Sequence, residues 1–341
     1  MADCDDYDHI AAWGEAHLAF LRRHLPYEHG VPGGRWLTIP MTRVNPALFS
    51  AAFTAWVRAT WPDRPEFVAI DGKTSRRSHD RAEGAAPIHL VSAFATTGRL
   101  VLGQEAVPDK AGEPAAIPAL LARLAERDGL RGALVSIDAV ATNGTVASAI
   151  TDAGADYSLA VKANQPPLRA EVEACFSAAP LGTVDVSIEH DKGHGRIEQR
   201  TTSVVREVAW PSGERRFPGE LRLPRVACAI RVEARVQRGA IAHAETRYYV
   251  SSAALDAARA GRAVRGHGGI ENSLHWVLDV GFGDDQSRLR KGFGAKNMAV
   301  VRHFALNLVR SAKGKHSIKL RRKLAGWTTD YLGQLLNAQV E

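Results

Sequence analysis

Three acidic residues lie in sequence settings that could bring them together as a metal-binding site. Asp71 ends the apolar run FVAID, and Asp138 ends the apolar run ALVSID. Glu271 lies in the stretch IENSLHWVLDV, which has the periodicity of an amphipathic helix. Mg²⁺ takes oxygen ligands, and two such ions can activate an attacking oxygen and stabilise a leaving one. The three residues therefore predict metal-dependent phosphoryl transfer on a nucleic-acid backbone.

Each acid has its own expected role in such a site. Asp71 would bridge two metal ions, while Asp138 and Glu271 would each complete the ligand set of one ion. Mg²⁺ is the expected cofactor, and Mn²⁺ is expected to substitute for it. A single acid at a strand end is more often a turn or capping residue, so the prediction depends on all three acids and on the strand order.

The helix predicted around Glu271 carries two more polar groups that could face the site. Residues at i, i+4 and i+8 share a helical face, which here groups Glu271, His275 and Asp279. His275 can also be interpreted as a buried histidine with satisfied hydrogen bonds. Asp279 is the alternative third acid.

The order of predicted strands and helices explains how two of the acids could meet. Between residues 63 and 183 the order is β-β-β-α-β-α-β-α. Three strands joined without helices, followed by helix-linked strands, fit a mixed α/β, RNase H-like core better than a doubly wound sheet. Asp71 ends the first strand and Asp138 the fourth. These strands are neighbours in the RNase H-like topology, so we expect the two carboxylates to approach each other.

Four segments of the chain differ in their residue pattern. Residues 1–62 read as a helical N-terminal domain, with the turn-rich run HGVPGGRW between its helices. Residues 63–183 form the first part of the catalytic core. Residues 184–252 alternate with the period of antiparallel strands, which predicts a β-rich insertion. Helical patterning returns in residues 253–341, which would complete the core with the third acid and with basic C-terminal helices.

The charge of the chain favours a polyanionic partner. The formal net charge is +7 and the isoelectric point about 9.5. The segment from Gln286 to Lys323 contains no Asp or Glu but twelve Lys and Arg residues. Its apolar middle, MAVVRHFALNLV, predicts folded helix with a basic face that could bind the phosphates of a nucleic acid. A solvated basic face on an ordinary basic protein is the alternative.

Side chains near the acids and in the basic segment are candidates for DNA contact. Some follow Asp71, some lie in the run VKANQ at a later strand end, and others lie on the Gly-flanked hairpin DKGHGR or around Glu271. Each of them could instead be solvated surface. The predicted DNA-binding residues are Lys73, Arg76, Lys162, Gln165, Lys192, His194, Arg196, Arg265, His267, Asn272, His275, Arg288, Arg290 and Lys291.

Several other classes of protein find no support in the sequence. The three cysteines are far apart, which argues against a disulfide framework and fits a reducing cytosol. The acidic N-terminus does not have the pattern of a signal peptide, and no apolar stretch approaches the roughly 20 residues of a membrane span. We find no P-loop, dinucleotide-binding motif, zinc-ligand spacing or nucleophile elbow.

With these residues in view, the chain resembles the DDE insertion-sequence transposases of the ISAs type, also called H-repeat-associated proteins. The motifs that carry the resemblance span most of the chain and include AIDGKTSRRS, SIDA, DYSLAVKANQ, HGRIEQR, GIENSLHWVLDVGF and NMAVVRHFALNLVR. The chain departs from the family at Gly268, where Trp is usual.

The resemblance implies an RNase H-like core with a β-rich insertion before the last acid, and Asp71, Asp138 and Glu271 as the DDE triad. It implies two-metal cleavage of the element's terminal repeats and strand transfer into target DNA, with double-stranded DNA as the partner in both steps. It also implies that a homo-oligomer assembled on DNA carries out the reaction in the bacterial cytosol. Two alternatives are a catalytically inactive or truncated DNA-binding protein derived from a transposase, and an RNase H-like nuclease without a joining step.

Overall fold

A mixed sheet forms the centre of the structure, a computed structural model that describes residues 1–80, 84–180, 182–193, 196–206, 208, 220–238 and 241–337. Within these residues, nine strands pair in the order β3-β2-β1-β4-β5-β9-β8-β7-β6. The strands are β1 (Phe67–Thr74), β2 (His89–Ala95), β3 (Leu100–Val107), β4 (Leu134–Ile137), β5 (Asp156–Val161), β6 (Asp185–Gly193), β7 (Arg196–Arg206), β8 (Cys228–Arg238) and β9 (Ile241–Ser251).

Helices precede the sheet, connect its later strands and follow it. Those before β1 are α1 (Tyr7–Ala16), α2 (Leu18–Leu21), α3 (Gly34–Arg43) and α4 (Pro46–Thr60). Those between strands are α5 (Glu113–Ala125), α6 (Gly144–Asp152) and α7 (Pro166–Ala178). Those after β9 are α8 (Ala257–Ile270), a π segment (Glu271–His275), α9 (Trp276–Phe282), α10 (Gly294–Ser311), α11 (Ile318–Trp327) and α12 (Thr329–Asn337). The predicted mixed α/β class with helices at both ends is confirmed, and the architecture is consistent with an RNase H-like core.

The pairing of β1 with its neighbours determines where the acids lie. β1 pairs antiparallel with β2 and parallel with β4, and Ile70 of β1 is directly opposite Ile137 of β4. Asp71 follows Ile70 and Asp138 follows Ile137. Because the two strands are parallel, both acids lie at the same edge of the sheet. Neighbouring strands are about 4.8 Å apart. The predicted adjacency of these two strands is therefore confirmed.

Both faces of the central strands are covered, which explains their continuous apolar runs. On one face, Val68 and Ile70 belong to a buried cluster that also includes side chains of α5, α6 and α7. On the other face, Ala69 packs in a cluster with residues of α4, α9 and α10 and with Leu274 of the π segment. Since side chains alternate along a strand, Asp71 lies on the same face as Ala69, towards the π segment.

The four antiparallel strands β6–β9 extend beyond the edge that carries the acids. β5 ends at Val161, which pairs with Tyr248, whereas the β8–β9 pairing continues to Ile241. Seven residues of β9 therefore project past the end of β5, over about 20 Å. We call this projection the β-tongue, and it comprises residues 187–193, 196–202, 232–238 and 241–247. It lies within residues 184–252, the segment that was predicted to be a β-rich insertion.

The N-terminal helices differ from the sequence-based expectation in one place. The run HGVPGGRW was expected to be a break, and it is one up to Gly33, but α3 begins inside it at Gly34. A Cβ atom at Gly34 would overlap the carboxylate of Asp8 on α1. This glycine therefore allows two helices to approach closely, and composition alone does not distinguish that role from a turn.

Among the described residues, no helix combines the length and the apolar character needed to cross a bilayer.

Candidate metal and nucleic-acid site

Asp71, Glu271 and His275 form a compact group of potential metal ligands. One donor atom from each of them lies within 4.8 Å of the other two. Nδ1 of His275 is 3.6 Å from Oδ2 of Asp71 and 3.7 Å from Oε2 of Glu271. The strand end supplies the first ligand, and the helical segment that packs over Ala69 supplies the other two. Two carboxylates and an imidazole are a suitable donor set for a divalent cation.

A π segment presents the helical side of this group. The N–H of Trp276 donates to the carbonyl of Glu271, the i to i+5 pattern of a π turn. Leu274 and His275 are buried under this turn, whereas the Glu271 side chain is 71% exposed. Arg310 of α10 donates to the carbonyl of Ser273 and so supports the widened turn. The expected α-helical face of Glu271, His275 and Asp279 is therefore only partly formed, because Asp279 turns towards other partners.

Asp138 lies outside the three-residue group but close to it. Its Oδ1 accepts from Nζ of Lys162 at 2.6 Å. Burial opposes ionisation of Asp138, but the Lys162 ammonium and the Ala139 amide outweigh it and lower the pKa of this carboxyl. An ammonium thus occupies the position at Asp138 where a cation could bind.

The electrostatic environment of Asp71 is unfavourable to its charge. Burial raises the pKa of this carboxyl to about 7, although a hydrogen bond from the Gly72 amide opposes the rise. The negative charges of Glu271, Glu113 and Asp138 raise it further. Such crowding of carboxylates is relieved when a cation binds among them. The donor set and its charge therefore fit the divalent metal that the sequence predicts.

One of the charges that raise the pKa of Asp71 is that of Glu113, which forms a buried pair with His89 under β1. Nε2 of His89 is 2.6 Å from Oε1 of Glu113, and Oγ1 of Thr74 is 2.7 Å from Nδ1 of His89. A Cβ atom at Gly72 would overlap both Glu113 and His89. Only glycine leaves room for this pair directly behind the strand position next to Asp71, a requirement that the sequence analysis did not identify.

Lys73 is at the centre of a second group of acids. Its Nζ is 2.8 Å from Asp279, 3.1 Å from Asp284 and 3.2 Å from Asp285. The lysine side chain is only 11% exposed. Desolvation alone would lower the pKa of Lys73, but Asp284 and Asp279 outweigh it and raise that pKa. The DNA contact predicted for Lys73 stays a prediction, and in the structure its ammonium neutralises these carboxylates. In the sequence, the only indication of this role is that Lys73 is two residues after Asp71 and therefore lies on the same face of β1.

The other predicted DNA-contacting residues are placed around the acid-bearing edge or on the β-tongue. Near the acids, Lys162 and Arg76 are exposed, Gln165 donates to the Thr142 carbonyl and Nδ1 of His267 is 3.1 Å from Oγ of Ser136. Asn272 is exposed beside Glu271.

On the β-tongue, Lys192 is exposed, Arg196 pairs with Glu198 at 3.0 Å, and Arg265 of α8 reaches across to Glu189 and Asp191. His194 lies outside the described residues.

The basic C-terminal segment does not form a single exposed basic face, which corrects the sequence-based expectation. Arg288 and Lys291 are exposed and Arg290 donates to the Arg77 carbonyl, so these three stay candidates for DNA contact. Three arginines of the segment are buried, whereas Lys313, Lys315 and Lys319 are exposed. Arg302 pairs with buried Asp284 at 2.7 Å, and Arg322 pairs with Asp5 at 2.8 Å. Arg321 donates to main-chain carbonyls. The count of Lys and Arg could not separate these structural cations from exposed ones.

Comparison with known proteins identifies the family. The profile of the family described as "Transposase DDE domain" matches residues 62–308. The chain is 32% identical to "Putative transposase YncI" of Escherichia coli O157:H7, with 98% of this chain and 86% of the relative covered. It is also 32% identical to "H repeat-associated putative transposase YhhI" of Escherichia coli K12, over 98% of this chain and 89% of the relative. An uncharacterised protein of Xanthobacter autotrophicus is 33% identical over 75% of this chain and 84% of its own length. The chain therefore belongs to the DDE transposase family.

Proposed function

We propose that the protein is a DNA transposase that cleaves the ends of its insertion sequence in a metal-dependent reaction and joins the resulting 3′-hydroxyl to target DNA. One observation carries the proposal. Asp71 and Asp138 follow directly paired residues of two parallel strands, and Glu271 approaches Asp71 from the helical side. Membership of the DDE transposase family and the names of the E. coli relatives support the same activity.

The proposed chemistry depends on the divalent ions that these side chains would bind. Asp71, Asp138 and Glu271 would be the metal ligands, with Asp71 shared. Bound divalent ions supply activation of the attacking oxygen and stabilisation of the leaving oxygen. Lys162 pairs with Asp138 and is exposed enough to turn to a DNA phosphate when a cation takes its place at that carboxylate.

DNA is proposed to run along the acid-bearing edge and beside the β-tongue. Arg76, Lys162 and Arg288 flank the edge, while Lys192 and Arg196 are on the β-tongue. Contacts of this kind to phosphates position the duplex without reading its sequence. Two element ends must be brought together for transposition, so the active form is proposed to be a homo-oligomer on DNA.

Cleavage of DNA that carries the element's own ends tests the proposal. Wild type is compared, in Mg²⁺ and in Mn²⁺, with Asp71→Ala, Asp138→Ala and Glu271→Ala. We expect wild type to nick at the ends and each variant to lose about 10³-fold or more in rate while still binding the DNA. Glu15→Ala, which removes an exposed acid of α1, is the matched control and should retain wild-type cleavage.

The products separate the proposal from its alternatives. Joined products with a second DNA identify a transposase, whereas cleavage without joining identifies an RNase H-like nuclease. Binding without any cleavage by wild type would instead identify an inactive DNA-binding protein and would refute the proposed reaction.

A further inference from the structure

His275 is not explained by a contact with DNA or by a network of hydrogen bonds. The side chain is 7% exposed, which leaves little surface for a DNA contact. Its Nε2 is buried without a hydrogen-bond partner among the described residues. The nearest carboxylate oxygens to Nδ1 are at 3.6 and 3.7 Å, beyond the usual range of an N–H···O hydrogen bond. Nδ1 therefore faces two carboxylate oxygens that it does not bond directly, and an ion bound between the three atoms would give this nitrogen a partner.

The distances around Nδ1 match those around a bound cation. Metal–ligand bonds of Mg²⁺, Mn²⁺ or Zn²⁺ to oxygen and nitrogen are about 2.0–2.2 Å long. Neighbouring ligands of such an ion are therefore about 3 Å apart and opposite ligands about 4.2 Å apart. The separations of 3.6 and 3.7 Å lie between these values, and one donor atom from each of the three residues lies within 4.8 Å of the others. Small side-chain movements would complete the coordination.

The backbone also directs the imidazole to this position. In the π turn, His275 is packed under the helix beside buried Leu274, while Glu271 one turn earlier stays at the surface. Arg310 donates to the carbonyl of Ser273 between them. The widened turn is therefore held by tertiary contacts, and it aims both Glu271 and His275 at Asp71. π turns of this kind are frequent at functional sites.

We propose that Nδ1 of His275 is a ligand, together with Asp71 and Glu271, of one divalent cation in this protein. This ion then binds to an Asp-Glu-His donor set, and Asp138 contributes to the neighbouring position. The proposal rests on the proposed function for the identity of the site, but it concerns ion binding and does not require DNA cleavage.

A nitrogen donor changes which metals the site prefers. Mg²⁺ and Mn²⁺ both favour carboxylate, carbonyl and water oxygens, but Mn²⁺ is a transition metal and accepts an imidazole nitrogen more readily than Mg²⁺ does. The site should therefore bind Mn²⁺ more tightly than Mg²⁺. Replacing the imidazole by a group that lacks the nitrogen should reduce this preference, because Mn²⁺ loses more than Mg²⁺ does.

Pulsed electron paramagnetic resonance of Mn²⁺ bound to the full chain tests the proposal directly. We expect ¹⁴N modulation from a coordinated imidazole in wild type and its loss in His275→Gln and His275→Ala. Mn²⁺ titration should show affinity weakened by about tenfold or more in His275→Ala, with a smaller loss for Mg²⁺. His267→Gln is the matched control, since it alters a nearby histidine of α8 that contacts Ser136, and it should keep the modulation.

Two further measurements keep the outcome interpretable. Asp71→Ala should abolish Mn²⁺ binding, which locates the ion, and thermal unfolding verifies that each variant is folded. Mn²⁺ bound at Asp71 without ¹⁴N modulation, or unchanged binding in His275→Ala, would overturn the proposal. Failure to bind Mn²⁺ at all would overturn it as well. The cleavage assay is a separate test. If the protein cleaves DNA but its metal has only carboxylate ligands, the proposed function stands and only the proposal of a histidine ligand is refuted.

Discussion

At the scale of single residues, Asp71 lies where its charge is costly until a cation is present. Burial and three neighbouring acids raise the pKa of this carboxyl to about 7. In the unfolded chain its pKa is near 3.8, so the metal-free folded state binds the extra proton between pH 4 and pH 7. The free energy of unfolding of the metal-free protein should therefore fall as the pH rises through this window. Above pH 7 it should stay at its lowered value.

Replacing Asp71 by Asn should remove this penalty. We expect Asp71→Asn to unfold with a higher free energy than wild type at pH 8, by on the order of 2–4 kcal/mol, and with a much smaller advantage at pH 4. Urea unfolding in EDTA at several pH values measures the difference. The surface variant Asp152→Asn should show little change at any of these pH values. An Asp71→Asn protein no more stable than wild type at pH 8 would contradict this account.

Individual residues were predictable from the sequence where local pattern decides their place. Asp71 and Asp138 each end an apolar run, and parallel strands bring such ends to one edge. The partners of Lys73 were not predictable, because Asp279, Asp284 and Asp285 lie more than 200 residues away in the chain. Long-range electrostatic pairing leaves no periodic trace in the sequence.

At the scale of elements, the helix that carries Glu271 contains two adjacent glycines just before its π turn. Gly268 is exposed, and nothing lies within 4 Å of the position that its Cβ would occupy. A glycine inside a helix costs roughly 0.5–1 kcal/mol relative to alanine, because the unfolded chain has more freedom to lose.

Gly268→Ala should therefore stabilise the protein. We expect a gain of about 0.5–1 kcal/mol in the free energy of unfolding, measured by urea denaturation. Gly266→Ala is the matched control on the same helix, since its Cβ would lie 3.0 Å from Oγ1 of Thr96 and needs a local shift. Equal gains at both positions would show that the helix is less closely packed than these distances indicate.

The lysine of β1 connects the first acid's strand to the region after α9. Nζ of Lys73 is the shared partner of Asp279 and of two acids that follow α9. Arg302 additionally pairs with Asp284. This contact ties β1 to the helix that carries Glu271, so it should hold the two proposed ligands in register.

Lys73→Met should leave the carboxylates of Asp279, Asp284 and Asp285 without the ammonium that neutralises them. We expect a loss of about 3–5 kcal/mol in the free energy of unfolding, the range for breaking a buried ion pair. Added Ca²⁺ should restore part of it, because the three acids could then bind a cation. Lys162→Met removes a lysine that is 59% exposed and should cost less than about 1 kcal/mol. Similar losses in both variants, or no recovery with Ca²⁺, would contradict this role for Lys73.

The order of the elements was more predictable than their local geometry. Apolar alternation and turn residues gave the strands and helices from β1 to α7, and their order indicated the neighbouring strands. Helical periodicity could not distinguish a π turn from an α turn, because both keep Leu274 and Leu278 on a buried side. Gly34 looked like part of a break, because its close approach to α1 depends on tertiary packing.

At the scale of the whole molecule, the position of positive charge matters more than its total. Arg302, Arg321 and Arg322 are buried and make contacts within the protein, so they are not available to DNA. Among the predicted DNA-contacting residues, Arg76 and Lys162 are exposed beside the acid-bearing edge. Exposed Lys192 and half-exposed Arg196 are on the β-tongue, which projects about 20 Å past that edge. A duplex at the acids would therefore pass along the β-tongue, and its phosphates would meet Lys192 and Arg196.

The salt dependence of DNA binding tests this path. Each phosphate contact adds about 0.9 to the magnitude of the slope of log affinity against log salt. We expect Lys192→Ala and Arg196→Ala each to weaken binding to all sequences alike and to reduce that slope by about 1. Arg131→Ala is the charge-matched control, because this exposed arginine precedes β4 and so lies at the opposite edge of the sheet from Asp138. A reduced slope in the control, or none in the two β-tongue variants, would place the DNA elsewhere on the molecule.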